Sequence, residues 1–238
     1  MYYGGMMGYY LDPTWILVII GAVLSMVASA KVNSTFNKYS KVRSMSGMTG
    51  AEAAQRLLNS QGIYDVQVRS VGGQLTDHYD PRTKTVNLSD SVYGSTSVAA
   101  IGVAAHECGH VMQDSTGYIP LKLRAAIVPA ANIGSKAALP LIILGVIIGG
   151  MGSPLVNIGL ILFSLAVLFQ LVTLPVEFNA SSRAVTLLGQ VGILGDQELG
   201  YTRKVLGAAA LTYVAALAAT VLQLLRLVIL FGGRRNDD

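Results

Sequence analysis

The sequence predicts an α-helical integral membrane protein with about four transmembrane helices and a small water-facing α+β domain. Composition is the first observation behind this prediction, because 52% of the 238 residues are hydrophobic and only 13% are charged, against roughly 25% charged in an ordinary soluble domain. The second observation is that the charges are segregated, since residues 31–124 hold ten of the 17 basic and seven of the 13 acidic side chains. This composition excludes a disordered chain, a typical soluble enzyme and a nucleic-acid-binding module. The net charge of +4 fits the basic loops of a membrane protein.

Residues 1–30 are predicted to form an N-terminal transmembrane anchor. Residues 14–30 are uncharged, and a helix of that length, at about 1.5 Å per residue, just crosses a hydrocarbon core of about 30 Å. A cleaved signal peptide is the alternative interpretation. No Lys or Arg precedes the run, so the positively charged segment that begins a signal peptide is missing.

Residues 31–124 are predicted to form the water-facing domain. A capping box at residues 49–52 begins a short helix over residues 53–59. Alternating apolar and polar side chains predict a strand within residues 63–71 and a second strand over residues 84–88. A hydroxyl side chain at positions 95–97 then caps a longer helix that ends near Asp114.

The remaining chain is predicted to cross the membrane three more times. Residues 125–176 form two transmembrane helices joined by a turn at residues 149–154, residues 177–204 return to water, and residues 205–238 form the last transmembrane helix and a tail. The basic residues Lys31, Lys38, Lys41 and Arg43 follow the first span and none precedes it. The positive-inside rule therefore predicts a multi-pass protein of the cell membrane whose water-facing domain is cytoplasmic.

The strongest local signal is the run His106–Glu107–Cys108–Gly109–His110 inside the longer helix. Residues four apart lie on one helix face, so both imidazoles can bind one metal ion. Glu107 is rotated by about 100° from His106, which suits a general base acting on a metal-activated water rather than a ligand. The alternative is a pair of surface histidines on an amphipathic helix, but the apolar flanking residues make that a costly place for such a cluster.

A catalytic metal site needs a third protein ligand. His78 is the one other histidine in the chain, and it lies in the region of predicted strands and turns. Glu177 is the better candidate, because it follows Pro175, a residue favoured in the first turn of a helix, at the membrane end of the third span. An interfacial carboxylate stabilised by a helix N-terminus is the alternative interpretation of Glu177.

The pair of motifs His106–His110 and Glu177–Ser181 resembles the gluzincin membrane proteases of the HtpX and CAAX-prenyl-protease type, and more closely the YugP-type family of bacterial membrane zinc metallopeptidases. The resemblance covers most of the chain. It implies a gluzincin-like zinc peptidase domain, one Zn²⁺ per chain bound by His106, His110 and Glu177, and Glu107 as general base. Ser181 stands where the broader group has an Asp that orients a ligating histidine, so Ser181 or Asn179 is expected to accept that hydrogen bond.

The resemblance further implies a membrane-embedded endopeptidase whose partners are protein or peptide substrates and the lipid bilayer. Arg183 is a candidate for stabilising the oxyanion or binding a substrate carboxylate, and His78 is a second candidate for that role. The strand over residues 84–88 is a candidate for pairing with an extended substrate, and a purely structural strand is the equal alternative. Two alternatives stay open: a protease that cleaves within the membrane, and a catalytically silent zinc-binding scaffold.

Overall fold

The computed structural model describes residues 12–232, so residues 1–11 of the predicted anchor and 233–238 of the predicted tail lie outside the description. The described chain forms helices and three short strands, which in order are α1 (Trp15–Tyr39), α2 (Gly50–Ser60), β1 (Gln67–Val71), β2 (His78–Asp80), β3 (Thr85–Ser89), α3 (Asp90–Tyr93), α4 (Val98–Ser115), α5 (Ile119–Gly149), α6 (Pro154–Gln190) and α7 (Asp196–Phe231). Four of them, α1, α5, α6 and α7, are long and apolar enough to cross a membrane. The predicted fold class, a helical membrane protein with a small α+β domain, is confirmed.

The membrane helices are longer than the uncharged runs that predicted them. Helix α1 continues past the first lysine to Tyr39, and α7 begins at Asp196, nine residues before the uncharged stretch. The prediction that Pro175 begins a new helix is wrong, because α6 runs without interruption through Pro175 to Gln190. A proline removes one backbone hydrogen-bond donor, and α6 accommodates that loss in its interior. Glu177 therefore lies inside a helix and not at a helix N-terminus.

The described residues divide into two compact units. The first comprises residues 12–27, 124–172 and 213–232 and is held by close helix packing at small residues. A Cβ atom at Gly134 would lie 2.7 Å from the Leu162 carbonyl oxygen, and one at Gly159 would lie 2.8 Å from the Ala138 carbonyl oxygen. Such close backbone approach between α5 and α6 is the usual way in which membrane helices associate.

The charged side chain of Arg226, in this first unit, contacts Trp15 and Asp12 near the start of α1. Arg226 lies within the apolar part of α7, with its guanidinium 4.4 Å from the ring centroid of Trp15. One of its nitrogens lies 3.8 Å from a carboxylate oxygen of Asp12. The aromatic face and the carboxylate compensate the charge, as is expected for an arginine in an apolar helix.

The second unit, Ala28–Leu123 together with Thr173–Thr212, contains the predicted water-facing segment and has its own core. Helix α4 is buried over most of its length and packs with α2 and α3. The largest fully buried side chains of this core belong to α2, β3, α4 and α6 and include Leu57, Leu58, Leu88, Ile101 and Leu188. The predicted capping box is confirmed, because Thr49 accepts from the Glu52 backbone while the Glu52 carboxylate accepts from the Thr49 N–H.

The three strands of the second unit form one sheet in the order β1-β3-β2. β3 pairs in parallel with β1 and antiparallel with β2, so both of its edges are occupied, and all of its residues except Asn87 are buried. The expectation that the strand over residues 84–88 pairs with substrate is therefore wrong. Its central position follows from burial of Val86 and Leu88 in the core, and β2, which sequence patterning did not predict, covers its other edge.

Candidate metal centre

Helix α4 carries two histidines on one face. The side chain of Ser97 caps the helix by accepting from the Ala100 N–H at 3.2 Å, and this leaves His106 and His110 in regular helical geometry further along. Their ring centroids lie 4.8 Å apart with the planes at 82°. Both side chains are mostly buried, with 15% and 12% of their surfaces exposed.

Helix α6 approaches α4 between these histidines, backbone against backbone. A Cβ atom at Gly109 would lie 2.4 Å from the Ala180 carbonyl oxygen and 3.0 Å from the Ala180 Cα. No residue larger than glycine fits this contact without moving a helix, since the obstructing atoms belong to the backbone. Glycine at position 109 is therefore what permits the close approach of α6. This approach brings Glu177, three residues before Ala180, to the histidine face.

Three potential metal ligands meet at this contact. One carboxylate oxygen of Glu177 lies 3.2 Å from His106 Nε2 and 3.6 Å from His110 Nε2, and the candidate ligand atoms of the three residues lie within 4.8 Å of one another. The Glu177 side chain is only 3% exposed. Two imidazole nitrogens and a buried carboxylate therefore converge on one point.

Hydrogen bonds at the far side of each imidazole fix the orientation of both rings. His110 Nδ1 donates to the Gln113 side-chain oxygen at 3.0 Å, and His106 Nδ1 lies 3.1 Å from Ser181 Oγ. With a proton on Nδ1, each neutral ring presents the lone pair of its Nε2 atom toward Glu177. The arrangement is the one by which proteins orient histidine ligands.

The residues fit a zinc ion on two grounds. Lone pairs of two Nε2 atoms and a carboxylate repel one another at these distances unless a proton or a metal ion lies among them, and one metal ion can satisfy all three groups at once. Two ligands bound at about 2.0–2.1 Å to a tetrahedral ion are separated by about 3.3 Å, which the observed 3.2 and 3.6 Å match. A set of two histidines and one carboxylate is also a known donor set for catalytic zinc.

Glu107 lies next to His106 on α4 and is not one of the three converging residues. Its side chain is buried, with 7% of the residue exposed. Among residues 12–232, its carboxylate makes no hydrogen bond or ion pair that meets ordinary distance limits. A carboxylate on a largely buried residue, next in sequence to a candidate ligand, is available to accept a proton,.

Comparison with known proteins decides the family. Residues 14–232 match the family model described as "Putative neutral zinc metallopeptidase". The chain belongs to this family. It is also 48% identical over 222 residues to a Bacillus subtilis (strain 168) protein named "Putative membrane protease YugP", and the match covers 93% of this chain and 98% of that protein. No solved structure matches the chain. The resemblance to YugP-type zinc metallopeptidases is thereby confirmed, and membership of the family implies zinc as the metal.

Of the weaker candidates, Ser181 and Asn179 join the hydrogen bonds around the converging ligands, whereas His78 hydrogen-bonds to other residues. Ser181 contacts His106, whereas Asn179 accepts from the side chain of Gln113 at 3.1 Å. His78 is exposed on β2, with Nδ1 2.8 Å from the Thr76 carbonyl oxygen and Nε2 3.2 Å from the Asn87 amide. Within the described residues, the group able to hold a metal contains His106, His110 and Glu177 without His78.

Tyr79, the neighbour of His78 on β2, connects the sheet to α4, the helix that carries His106 and His110. The hydroxyl of Tyr79 donates to the Asp114 carboxylate at 2.9 Å, four residues beyond His110. Burial, together with this hydrogen bond and the charge of Asp114, raises the pKa of Tyr79 above its usual value. The phenol therefore stays protonated at neutral pH and keeps its donor role.

Gln113 is the site residue that sequence reasoning missed. It is fully buried, and its amide nitrogen donates to the Val176 carbonyl at 2.7 Å and to Asn179 while its oxygen accepts from His110. Arg183 joins the same network, since its Nε donates to Asn179 at 2.8 Å and its guanidinium lies 5.8 Å from the Tyr118 ring centroid. A polar residue three positions after His110 on an apolar helix was the available signal, because such residues are neighbours on the helix surface.

Proposed function

We propose that this protein is a membrane zinc endopeptidase that hydrolyses peptide bonds of membrane or membrane-proximal proteins, with His106, His110 and Glu177 as zinc ligands and Glu107 as general base. The observation that carries the proposal is the convergence of two histidine Nε2 atoms on a buried carboxylate oxygen at 3.2 and 3.6 Å. Membership of a zinc metallopeptidase family supports the same assignment.

In the proposed reaction each residue has a separate task. Bound zinc supplies Lewis-acid polarisation of the peptide carbonyl and of a water molecule. Glu107 accepts a proton from the attacking water and passes it to the leaving amine. Gln113 and Ser181 hold the ligating rings in place through their Nδ1 atoms. Arg183 acts through Asn179 and Gln113, and so positions His110.

We propose that the reaction takes place on the cytoplasmic side of the cell membrane. The basic residues after the first span support this orientation,. Helix α4 is not among the four described helices that are long and apolar enough to span a bilayer. This favours a water-facing site at the membrane over cleavage within the bilayer.

Metal content and turnover, measured on the same detergent-purified variants, test the proposal. We expect about one zinc per wild-type chain by elemental analysis and clearly less in Glu177→Ala. Glu107→Gln should retain the metal and lose about 10²–10⁴-fold in hydrolysis of a labelled casein. Glu198→Ala is the matched control, since this buried carboxylate of the same unit accepts from the backbone of Met45 and Gly195 and not from the ligands.

The outcomes separate the competing functions. Equal zinc in wild type and Glu177→Ala would remove Glu177 from the ligand set. About one zinc per wild-type chain, with no casein hydrolysis by the wild type or by any variant, would favour the silent zinc-binding scaffold. Loss of zinc in Glu198→Ala as well would indicate that the loss in Glu177→Ala reflects unfolding.

A further inference from the structure

The second unit contains a cavity of about 630 Å³ that is separate from the metal centre. Residues of α1 and α7 line it, and they comprise three lysines, two hydroxyl side chains, one tyrosine and a short apolar stretch: Lys31, Ser34, Thr35, Lys38, Tyr39, Lys204, Gly207, Ala208 and Leu211. The lining contains no acidic side chain. The proposed peptidase reaction uses none of these residues.

The charge of this cavity is not neutralised by the part of the protein that the structure describes. Lys31, Lys38 and Lys204 are exposed, and within residues 12–232 no carboxylate oxygen lies within 4.0 Å of their ammonium groups. Three like charges around one cavity raise the local concentration of anions. The hydroxyl of Thr35 adds a hydrogen-bond donor of the kind that contacts phosphate oxygens, whereas the hydroxyl of Ser34 donates to the Lys31 carbonyl oxygen at 3.1 Å.

Stacked aromatic rings hold two of the lysines in place. The rings of Tyr39 on α1 and Tyr201 on α7 stack with centroids 5.0 Å apart. The ammonium of Lys38 lies 5.5 Å from the centroid of Tyr39, and that of Lys204 lies 5.9 Å from the centroid of Tyr201. These cation–π contacts reduce the freedom of two long side chains before any ligand arrives.

Along both α1 and α7, the cavity lies next to the end of an uncharged run, which is where lipid headgroups are expected. Lys31 is the first charge after the uncharged residues 14–30, and Lys204 is the last charge before the uncharged residues 205–225. The seven residues from Lys31 to Lys38 rise about 10 Å, enough to extend through the polar layer of one leaflet, which is about 5–8 Å thick. Leu211, Ala208 and Gly207 extend the lining into the apolar part of α7.

We propose that this cavity binds the phosphate group of an anionic phospholipid, with Lys31, Lys38 and Lys204 around the phosphate and Leu211 beside the first part of an acyl chain. Cationic and hydroxyl groups at one end and apolar groups at the other match a lipid better than a free anion. Basic pockets between membrane helices are a recognised way to bind anionic headgroups.

Native mass spectrometry of the full chain in neutral detergent tests the proposal. Titration with phosphatidylglycerol should give wild-type chains carrying one retained lipid, at a concentration at which phosphatidylcholine gives none. The variant K31Q/K38Q/K204Q should need at least tenfold more phosphatidylglycerol for the same occupancy. Single Lys→Gln variants, each expected to show a partial loss, serve if the triple variant does not fold.

The matched control is K41Q/R43Q/R203Q, which removes three exposed charges close in sequence that do not line the cavity. It should bind phosphatidylglycerol like wild type, because the proposed binding depends on the three lysines that line the cavity. A general attraction between basic residues and an anionic lipid would instead weaken equally in both triple variants. Equal loss in both triple variants, or no preference for phosphatidylglycerol in wild type, would overturn the proposal. Glycerol 3-phosphate at the same concentration should not displace the lipid, and full displacement would identify a free-phosphate site instead.

Discussion

At the scale of single residues, the proposed zinc site depends on groups that do not touch the metal. His110 can present Nε2 to Glu177 only while its Nδ1–H has an acceptor, and Gln113 supplies it. Gln113 is itself held by the Val176 carbonyl and Asn179. The orientation of a ligand on α4 is therefore set by the backbone and side chains of α6, the helix that also carries Glu177.

Gln113→Ala is expected to lower zinc affinity by about 10–100-fold, the usual cost of losing a hydrogen bond to a histidine ligand. The ring of His110 loses its acceptor, and the Val176 carbonyl is left buried without this donor. Competition against a chelator of known affinity measures the change. Gln61→Ala, at an exposed glutamine outside the site, should bind zinc like wild type. Unchanged affinity in Gln113→Ala would show that Gln113 does not orient His110.

Cys108 lies between the two histidines but is expected to be chemically inert in the folded protein. The residue is fully buried, its sulfur lies 3.6 Å from the Ala54 carbonyl oxygen, and burial raises the pKa of the thiol. A maleimide at pH 7 should leave native protein unmodified and label one thiol per chain in denaturant. An introduced cysteine at exposed Gln74 should react in the native state, which verifies the reagent. Rapid native labelling of wild type would contradict the burial of Cys108.

At the scale of secondary-structure elements, the site is made by the contact of α4 with α6. Gly109 and Ala180 allow the two backbones to meet, and this sets how far Glu177 lies from the histidines. Glu177 and Ala180 lie in the same uninterrupted helix, so the contact at Ala180 also fixes the position of Glu177.

Gly109→Ala is expected to reduce zinc content below half of the wild-type value while the histidines and Glu177 remain present. The new methyl group would lie 2.4 Å from the Ala180 carbonyl oxygen, so the two helices must separate and the ligand distances lengthen. Elemental analysis of purified protein measures the change. Gly200→Ala is the matched control, because it is also helical and its Cβ would meet no atom within 4 Å. Full zinc content in Gly109→Ala would mean that the helix contact is not required for the site.

The elements that the sequence predicts well are those set by neighbouring residues. The capping box of Thr49 and Glu52 and the cap at Ser97 depend on side chains within three positions, and the two motifs that supply the converging ligands could be recognised as short runs. Strand β2 and the role of Gln113 could not be predicted in this way. Their partners, β3 and the Val176 carbonyl, are brought to them by the fold, and a strand of three residues such as β2 carries little hydrophobic signal.

At the scale of the whole molecule, the distribution of charge along the chain is the main guide to orientation. The water-facing unit holds most of the charged residues, and the turn at residues 149–154 between α5 and α6 has none. Cytoplasmic loops are enriched in Lys and Arg. The sheet, α4 and the proposed zinc site should thus lie on one side of the membrane and the turn at residues 149–154 on the other.

Cysteine labelling in intact cells tests this orientation. A membrane-impermeant maleimide should label Gln74→Cys, in the exposed loop between β1 and β2, only after the cells are permeabilised. The same reagent should label Met151→Cys, an exposed position in the turn between α5 and α6, in intact cells. Cys108 need not be replaced, because the unmodified chain, with its buried thiol, should stay unlabelled under both conditions and provides the background. Labelling of Gln74→Cys but not Met151→Cys in intact cells would place the proposed peptidase site outside the cell, and its substrates would then have to be extracytoplasmic.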